Sequence, residues 1–261
     1  MKRIFILLLI FTFCFSANAM STKPKHMPFD GGIGNIAHWS FENYSAKDSS
    51  PNHNDGVMNN IRFQMPSLNN SASFNTHNSY ITFTDKQSLD MPEQFSWVIW
   101  GNWKSNAEGY FPFLWKESIP GDSTYRNKPS YGLWLFQDHI HAGILLENKQ
   151  WVEVVTDSTF ETIGRWHLIC VTYDGSKLRI YYDSRLVASN HVKTSASIYD
   201  SDQELNIGRM HHDGSWEYFK GLMDEIGFYN VTLTPKQVLS IWESEDGVLP
   251  LGNTHKGKIR K

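Results

Sequence analysis

The chain has 261 residues, 40% of them hydrophobic and 14% aromatic, and a formal charge of −3. Lys2 and Arg3 fall in an N-terminal processing segment; without them the 24 basic residues become 22 against 27 acidic ones, and the charge is −5. That sign excludes nucleic acid as the main partner, because contacting phosphates takes a basic surface.

Residues 1–19 read as a signal peptide: Lys2 and Arg3 precede about a dozen apolar residues, and Ala17-Asn18-Ala19 supplies a small-residue cleavage site. A dozen apolar residues fall short of the roughly 20 that span a bilayer, so no transmembrane segment is expected. The mature chain is expected to be secreted, to the periplasm or beyond the cell. Its one remaining cysteine, Cys170, cannot form an intramolecular disulfide. Stability therefore rests on the core, which about 240 residues can build as one domain. Residues 20–35, polar and rich in Gly, Pro and Lys, form a flexible lead-in.

Short strands separated by turn signals then follow: 36–41 (IAHWSF), 73–74, 80–84, 95–103 (FSWVIWGNW), 111–115, 131–136, 140–146 and 150–155. The segment 164–187 is a hairpin. Trp166, Leu168, Cys170 and Thr172 face one way, and His167, Ile169, Val171 and Tyr173 the other. Asp174-Gly175 supplies the turn, since Gly accepts φ > 0. Leu178, Ile180 and Tyr182 alternate with Arg179 and Tyr181 on the second arm. Strands 205–209 and 220–229 close the set. One helix is predicted from Pro235, with Thr234 as N-cap and Gln237 completing a capping box. A basic, disordered tail occupies 248–261. The predicted fold is all-β, with two antiparallel sheets and one short C-terminal helix.

Three segments carry a family resemblance. HWSFENYSAKDSSPNHNDG (38–56) is similar to an opening strand and Asp-Ser-Ser-Gly-Asn-Gly loop. The hairpin 164–187 is similar to a Gly-x-Trp-His … Tyr-Asp-Gly … Tyr-x-Asp-Gly run. LNIGRMHHDGSWEYFKGLMDEIGFYNVTLTPKQVLSIW (205–242) is similar to an Ile-Gly … Phe-x-Gly-x-Ile-Asp-Glu closing strand and its Leu-Thr helix start. Together they resemble the LamG-like jelly roll of the concanavalin A-like lectin/glucanase superfamily. The resemblance implies a jelly-roll domain over 36–247 with Trp100 and Trp166 in its core. Pro51 and His53 stand where that family has glycines, and Ser184 replaces the Gly of the second Asp-Gly turn. If Ser184 must be left-handed, it costs on the order of 1 kcal/mol.

Candidate chemistry follows from residue type. A retaining glycosidase needs two carboxyls about 5 Å apart. Asp224 and Glu225 are adjacent, and on a regular strand point to opposite faces; Glu147 and Glu153 lie on neighbouring strands. Calcium takes six to eight oxygens from an irregular loop. Asp48, Asn52 and Asn54, with Asp224 of the closing strand, are the candidates for a structural ion, although the same loop suits an Asx-rich turn whose side chains bond their own backbone. His139 and His141 share a strand face, and His211 and His212 sit beside a glycine loop, but no full zinc set is visible. Tyr110, Tyr125, Trp216 and Tyr218 offer flat apolar faces for a sugar. No organic cofactor is implied. The expected function is non-catalytic recognition of a glycan; the alternatives are an adhesive sandwich binding a cell-surface protein and a diverged glycoside hydrolase.

Overall fold

The computed structural model describes residues 34–64, 70–103, 109–118, 127–160 and 164–244. The signal peptide, most of the lead-in, Tyr125 and the basic tail lie outside them. In chain order the elements are β1 (Asn35–Trp39), β2 (Val57–Asn59), β3 (Arg62–Gln64), β4 (Ser71–Ser73), β5 (Tyr80–Phe83), β6 (Phe95–Trp103), β7 (Tyr110–Glu117), β8 (Pro129–Phe136), β9 (His139–Leu145) and β10 (Trp151–Val155). There follow β11 (His167–Tyr173), β12 (Lys177–Tyr182), β13 (Arg185–His191), β14 (Leu205–Ile207), β15 (Arg209–His212), β16 (Ser215–Tyr218), β17 (Gly221–Tyr229) and α1 (Pro235–Glu243).

All of these strands but β15 and β16, which pair with each other, form two antiparallel sheets packed face to face, as the alternation predicts. The first has eight strands in the order β13-β12-β11-β6-β17-β4-β3, with β1 also beside β17; the second has seven, β10-β9-β8-β7-β14-β5-β2. Side chains of period two from both inner faces meet between them, among them Trp39, Trp97, Phe113, Leu133, Ile169, Val171 and Phe228. The alternation read for β11 holds in detail: Ile169, Val171 and Tyr173 enter this core, while Trp166, Leu168 and Cys170 point outward. The outward set is still buried, because α1 lays Val238 and Ile241 across it and covers Trp100, Trp166 and Cys170. Thr234 and Gln237 close the predicted capping box, which starts the helix at Pro235 and so places that apolar stripe.

Strands β2 and β3 fall outside the strands read from the sequence, and three further features depart from expectation. The chain continues past the hairpin into an exposed edge strand, β13, paired with β12. Residues 209–218, expected to be strand end and loop, form a second hairpin, with His211 and His212 on β15 and only Asp213-Gly214 in the turn. Asp224 and Glu225 do not alternate. A bulge shifts the β17–β6 register between Asp224 and Gly227, and Glu225 takes φ +46°. Asp224 then sits opposite Trp100, and Glu225 turns its carboxylate to His38, 2.7 Å from Nε2. Both carboxylates are buried. His38 Nδ1 in turn lies 2.8 Å from Ser49 Oγ, so the chain Ser49–His38–Glu225 rivets β1 and its following loop to β17. That serine's N–H also donates to the His38 carbonyl, at 2.9 Å.

Candidate functional site

The outer face of the seven-stranded sheet carries the site. On β7 to β10 the residues between core positions include Tyr110, Trp115, Gly132, Trp134, Phe136, His139, His141, Gly143, Trp151 and Glu153. Gly132 and Gly143 face each other across β8 and β9. Their missing side chains leave room for flat rings: a Cβ on Gly143 would stand 2.3 Å from Trp151 Cη2, and one on Gly132 3.0 Å from Trp115 Cε3. Trp115 and Trp134 pack edge to face at 5.5 Å. The β15–β16 hairpin folds back over this face, sealing Met210 against Trp115 and Trp134.

What remains open is a cleft of about 250 Å³ lined by Tyr110, Trp134, Phe136, His141, Trp151 and Glu153 from the sheet, by Met210 and His212 from the hairpin, and by Asn127 and Lys128 at the rim. Tyr110 stacks on Phe136 at 4.4 Å and meets His212 at 4.0 Å; His141 stacks on Trp134 at 5.3 Å. The rim is tied reciprocally: Asn127 Nδ2 donates to Asp213 Oδ1 at 2.7 Å, and Asp213 N–H donates to Asn127 Oδ1 at 2.8 Å. Glu153 is held from two sides. His141 Nδ1 lies 2.7 Å from Oε1, and Trp151 Nε1 donates to Oε2 at 3.2 Å. A carboxylate only accepts, so the imidazole supplies the proton. Burial by itself would raise the Glu153 carboxyl, but the bonds from His141 and Trp151, with the nearby charges of His141 and Lys128, outweigh it and hold the group below its usual range. Burial, with the carboxylates of Asp213, Glu153 and Glu217, raises the Tyr110 phenol.

The aromatic candidates do not converge. Tyr110 lines the cleft, whereas Trp216 and Tyr218 share the opposite face of the hairpin with Arg209 and His211. There the Arg209 guanidinium lies between the Tyr80 ring, at 3.6 Å, and the Trp216 ring, at 4.4 Å; Trp216 is 43% exposed. The main cleft residues absent from the expected set are Trp134, Phe136 and Trp151. Their signal was the aromatic residue recurring opposite the core positions of successive strands. Of the carboxylates weighed as a pair, Glu153 faces the cleft, but Glu147 accepts from the Asp200 N–H at 3.1 Å instead.

The calcium candidates do not fit an ion cage. Asp48 Oδ1 accepts from the N–H groups of His38 (2.9 Å) and Ser50 (2.8 Å), and Oδ2 from Ser50 Oγ and the Asn54 N–H, both at 2.7 Å. All four lone-pair positions of the carboxylate are thus engaged by the protein. The side-chain amides of Asn52 and Asn54 both donate to the Ile36 carbonyl, and Asn54 Oδ1 accepts from Ser88 Oγ. The loop is the Asx-rich turn. Asp224 lies apart from these bonds, buried opposite Trp100. Among the described residues no group of three or more His, Cys, Asp or Glu side chains is placed to hold a metal.

A second cleft, of about 290 Å³, lies beside Lys116, Tyr131 and Tyr199. Its buried ammonium is paired internally with Asp85 and Asp90, and it lacks the stacked rings of the first.

Comparison with known proteins agrees with this architecture. A family profile described as the concanavalin A-like lectin/glucanases superfamily, of laminin G type, matches residues 75–239. No curated protein matches the sequence. Among solved structures, the binding domain of Paraclostridial Mosquitocidal Protein 1 superposes with TM-score 0.64 and 13% identity, over 80% of this chain and 52% of that one. Domain 4 of a GH43 extracellular arabinanase from Geobacillus stearothermophilus, in complex with arabinotriose, gives 0.61 and 20% over 80% and 98%. The ligand-binding domain of botulinum neurotoxin serotype D, in complex with N-acetylneuraminic acid, gives 0.63 and 12% over 80% and 50%. The chain spans about half the length of the two toxin domains, and at these identities the likeness is one of fold. Among the described residues no helix is long and apolar enough to cross a membrane.

Proposed function

Because the chain belongs to the concanavalin A-like lectin/glucanase superfamily, we propose that it is a secreted, non-catalytic module that binds a glycan in the cleft over β7 to β10. One observation carries this reading: the rings of Tyr110, Trp134 and Trp151 line one concave site beside the hydrogen-bonding groups of Asn127, Lys128, His141 and Glu153. Sugars have apolar C–H faces and polar edges, so flat rings with a polar rim are the complementary surface. A cleft of about 250 Å³ lies just under the roughly 300 Å³ where ligand pockets begin, which suits one or two sugar units at a time. Each stack contributes a kcal/mol or two, by analogy with other stacking on aromatics. Useful retention then comes from repeated contacts along a polymer.

Hydrolysis is disfavoured by the same geometry. Glycoside hydrolysis takes a pair of carboxyls, and among the described cleft-lining residues Glu153 is the single one. The test is retention of the purified protein on a panel of insoluble polysaccharides, with reducing-sugar release followed in parallel. Retention that Trp151→Ala and Tyr110→Ala abolish, without sugar release, is the expected result. Loss of retention in Trp216→Ala alone would move the site to the far face of the hairpin. There an exposed Trp beside an Arg is the composition of a protein-binding hot spot.

A further inference from the structure

We infer that this cleft selects neutral glycans and rejects acidic ones, with Glu153 as the selecting residue; the inference rests on the glycan-binding reading above. Glu153 on β10 stands directly opposite Gly143 of β9, the position against which the Trp151 and Trp134 rings lie, and lines the same cleft as those rings. Its two oxygens are fixed by His141 and Trp151, so the carboxylate cannot swing away from an incoming anion. It retains lone pairs for sugar hydroxyls, which can donate to it, whereas the ionised acid group of a uronate, a sialate or a sulfated sugar only accepts.

The surroundings add to the same sign. Asp213 is locked at the rim by Asn127, and Glu217 lies near enough, with Asp213 and Glu153, to act on the Tyr110 phenol. Of these three carboxylates Glu153 lines the cleft itself, beside one lysine, Lys128, and the imidazoles of His141 and His212, while Asp213 and Glu217 add their charge from beyond the lining. Two like charges about 5 Å apart repel appreciably even at the effective dielectric of a protein surface, so an acidic sugar should bind at least about ten-fold more weakly than its neutral counterpart.

The experiment uses matched pairs that differ only in the acid group: polygalacturonate against its carboxyl-reduced form, and sialyllactose against its carboxyl-reduced form, presented multivalently. Wild type, Glu153→Gln, Asp213→Asn and Trp151→Ala are compared, each checked for folding by its thermal melt. The inference expects the neutral member to be favoured at least about ten-fold, with this preference reduced several-fold by Glu153→Gln and in part by Asp213→Asn. Asp213→Asn leaves the cleft floor untouched, so it serves if Glu153→Gln melts early. Equal or tighter binding of the acidic member by wild type, or a preference that neither variant alters, overturns the selectivity while leaving the glycan site standing. Binding to neither member of either pair, or binding that Trp151→Ala leaves intact, removes the cleft as the site and the selectivity with it.

Discussion

Gly143→Ala is the sharpest test of whether Trp151 forms a wall of the cleft. The added Cβ would stand 2.3 Å from Cη2 and 2.4 Å from Cζ2 of Trp151, and 3.3 Å from Cη2 of Trp134. Carbon atoms rest at about 3.5–4.0 Å, so the Trp151 ring has to withdraw by more than about 1 Å. Its bond from Nε1 to Glu153 Oε2 is already 3.2 Å long, and a movement of that size breaks it. A hydrogen bond to a charged group contributes about 1.5–3 kcal/mol when buried; here the carboxylate is partly open to water, which reduces the figure to about 1 kcal/mol. Alanine offsets part of this by restricting the unfolded chain, by about 0.4–1 kcal/mol. The melting temperature should therefore change little. Affinity for a polysaccharide should fall about ten-fold, the equivalent of one lost stacking surface at roughly 1–2 kcal/mol. Titration followed by tryptophan emission reads both effects, since the displaced indole gains water. Unchanged affinity together with unchanged emission would refute the role given to Trp151.

Ser184 adopts φ +68° beside Asp183 at +45°, so Ser184→Gly should stabilise the protein by about 1 kcal/mol and raise the melting temperature by roughly 2–4 °C; a lower melting temperature would contradict the strain. With the Asp48 carboxylate saturated by protein donors, melts in millimolar calcium and in chelator should coincide, and Asp48→Ala should lower both; a rise of several degrees with calcium would restore Asp48, Asn52 and Asn54 as ligands. The depressed Glu153 carboxyl stabilises the fold fully above the ordinary glutamate range, and that contribution is lost as pH falls through the lower folded value. The acid limb of the melting profile should therefore be shallower in Glu153→Gln, and an identical limb would show that the His141 pairing does not matter. Burial pushes the Cys170 thiol far up, so a thiol reagent at pH 8 should react only on unfolding; rapid labelling of the native protein would place Cys170 elsewhere.

Period-two alternation was enough to sort the side chains of β11 onto two faces, because a strand's pleat sends neighbouring residues to opposite sides whatever surrounds it; which face met the other sheet was decided by α1 covering the Trp166, Leu168 and Cys170 side. Capping chemistry set the start of α1 in the same local way. The β15–β16 hairpin was legible only in its Asp213-Gly214 turn. Arg209, His211 and His212 are polar on both faces, since this ribbon lies on a sheet instead of between two. The Asx-rich loop was visible as a set of oxygens, but their direction was not. Asp48 faces His38, Ser50 and Asn54 because β1 runs beside the loop, and that contact depends on the pairing of β1 with β17, nearly the whole domain away. The cleft shows the same division. Each ring's face follows from its own strand. That Tyr110, Trp134, Trp151 and His212 meet follows from the strand order and from a hairpin folding back over β7, and a repeat of two residues cannot encode which strand will lie beside which.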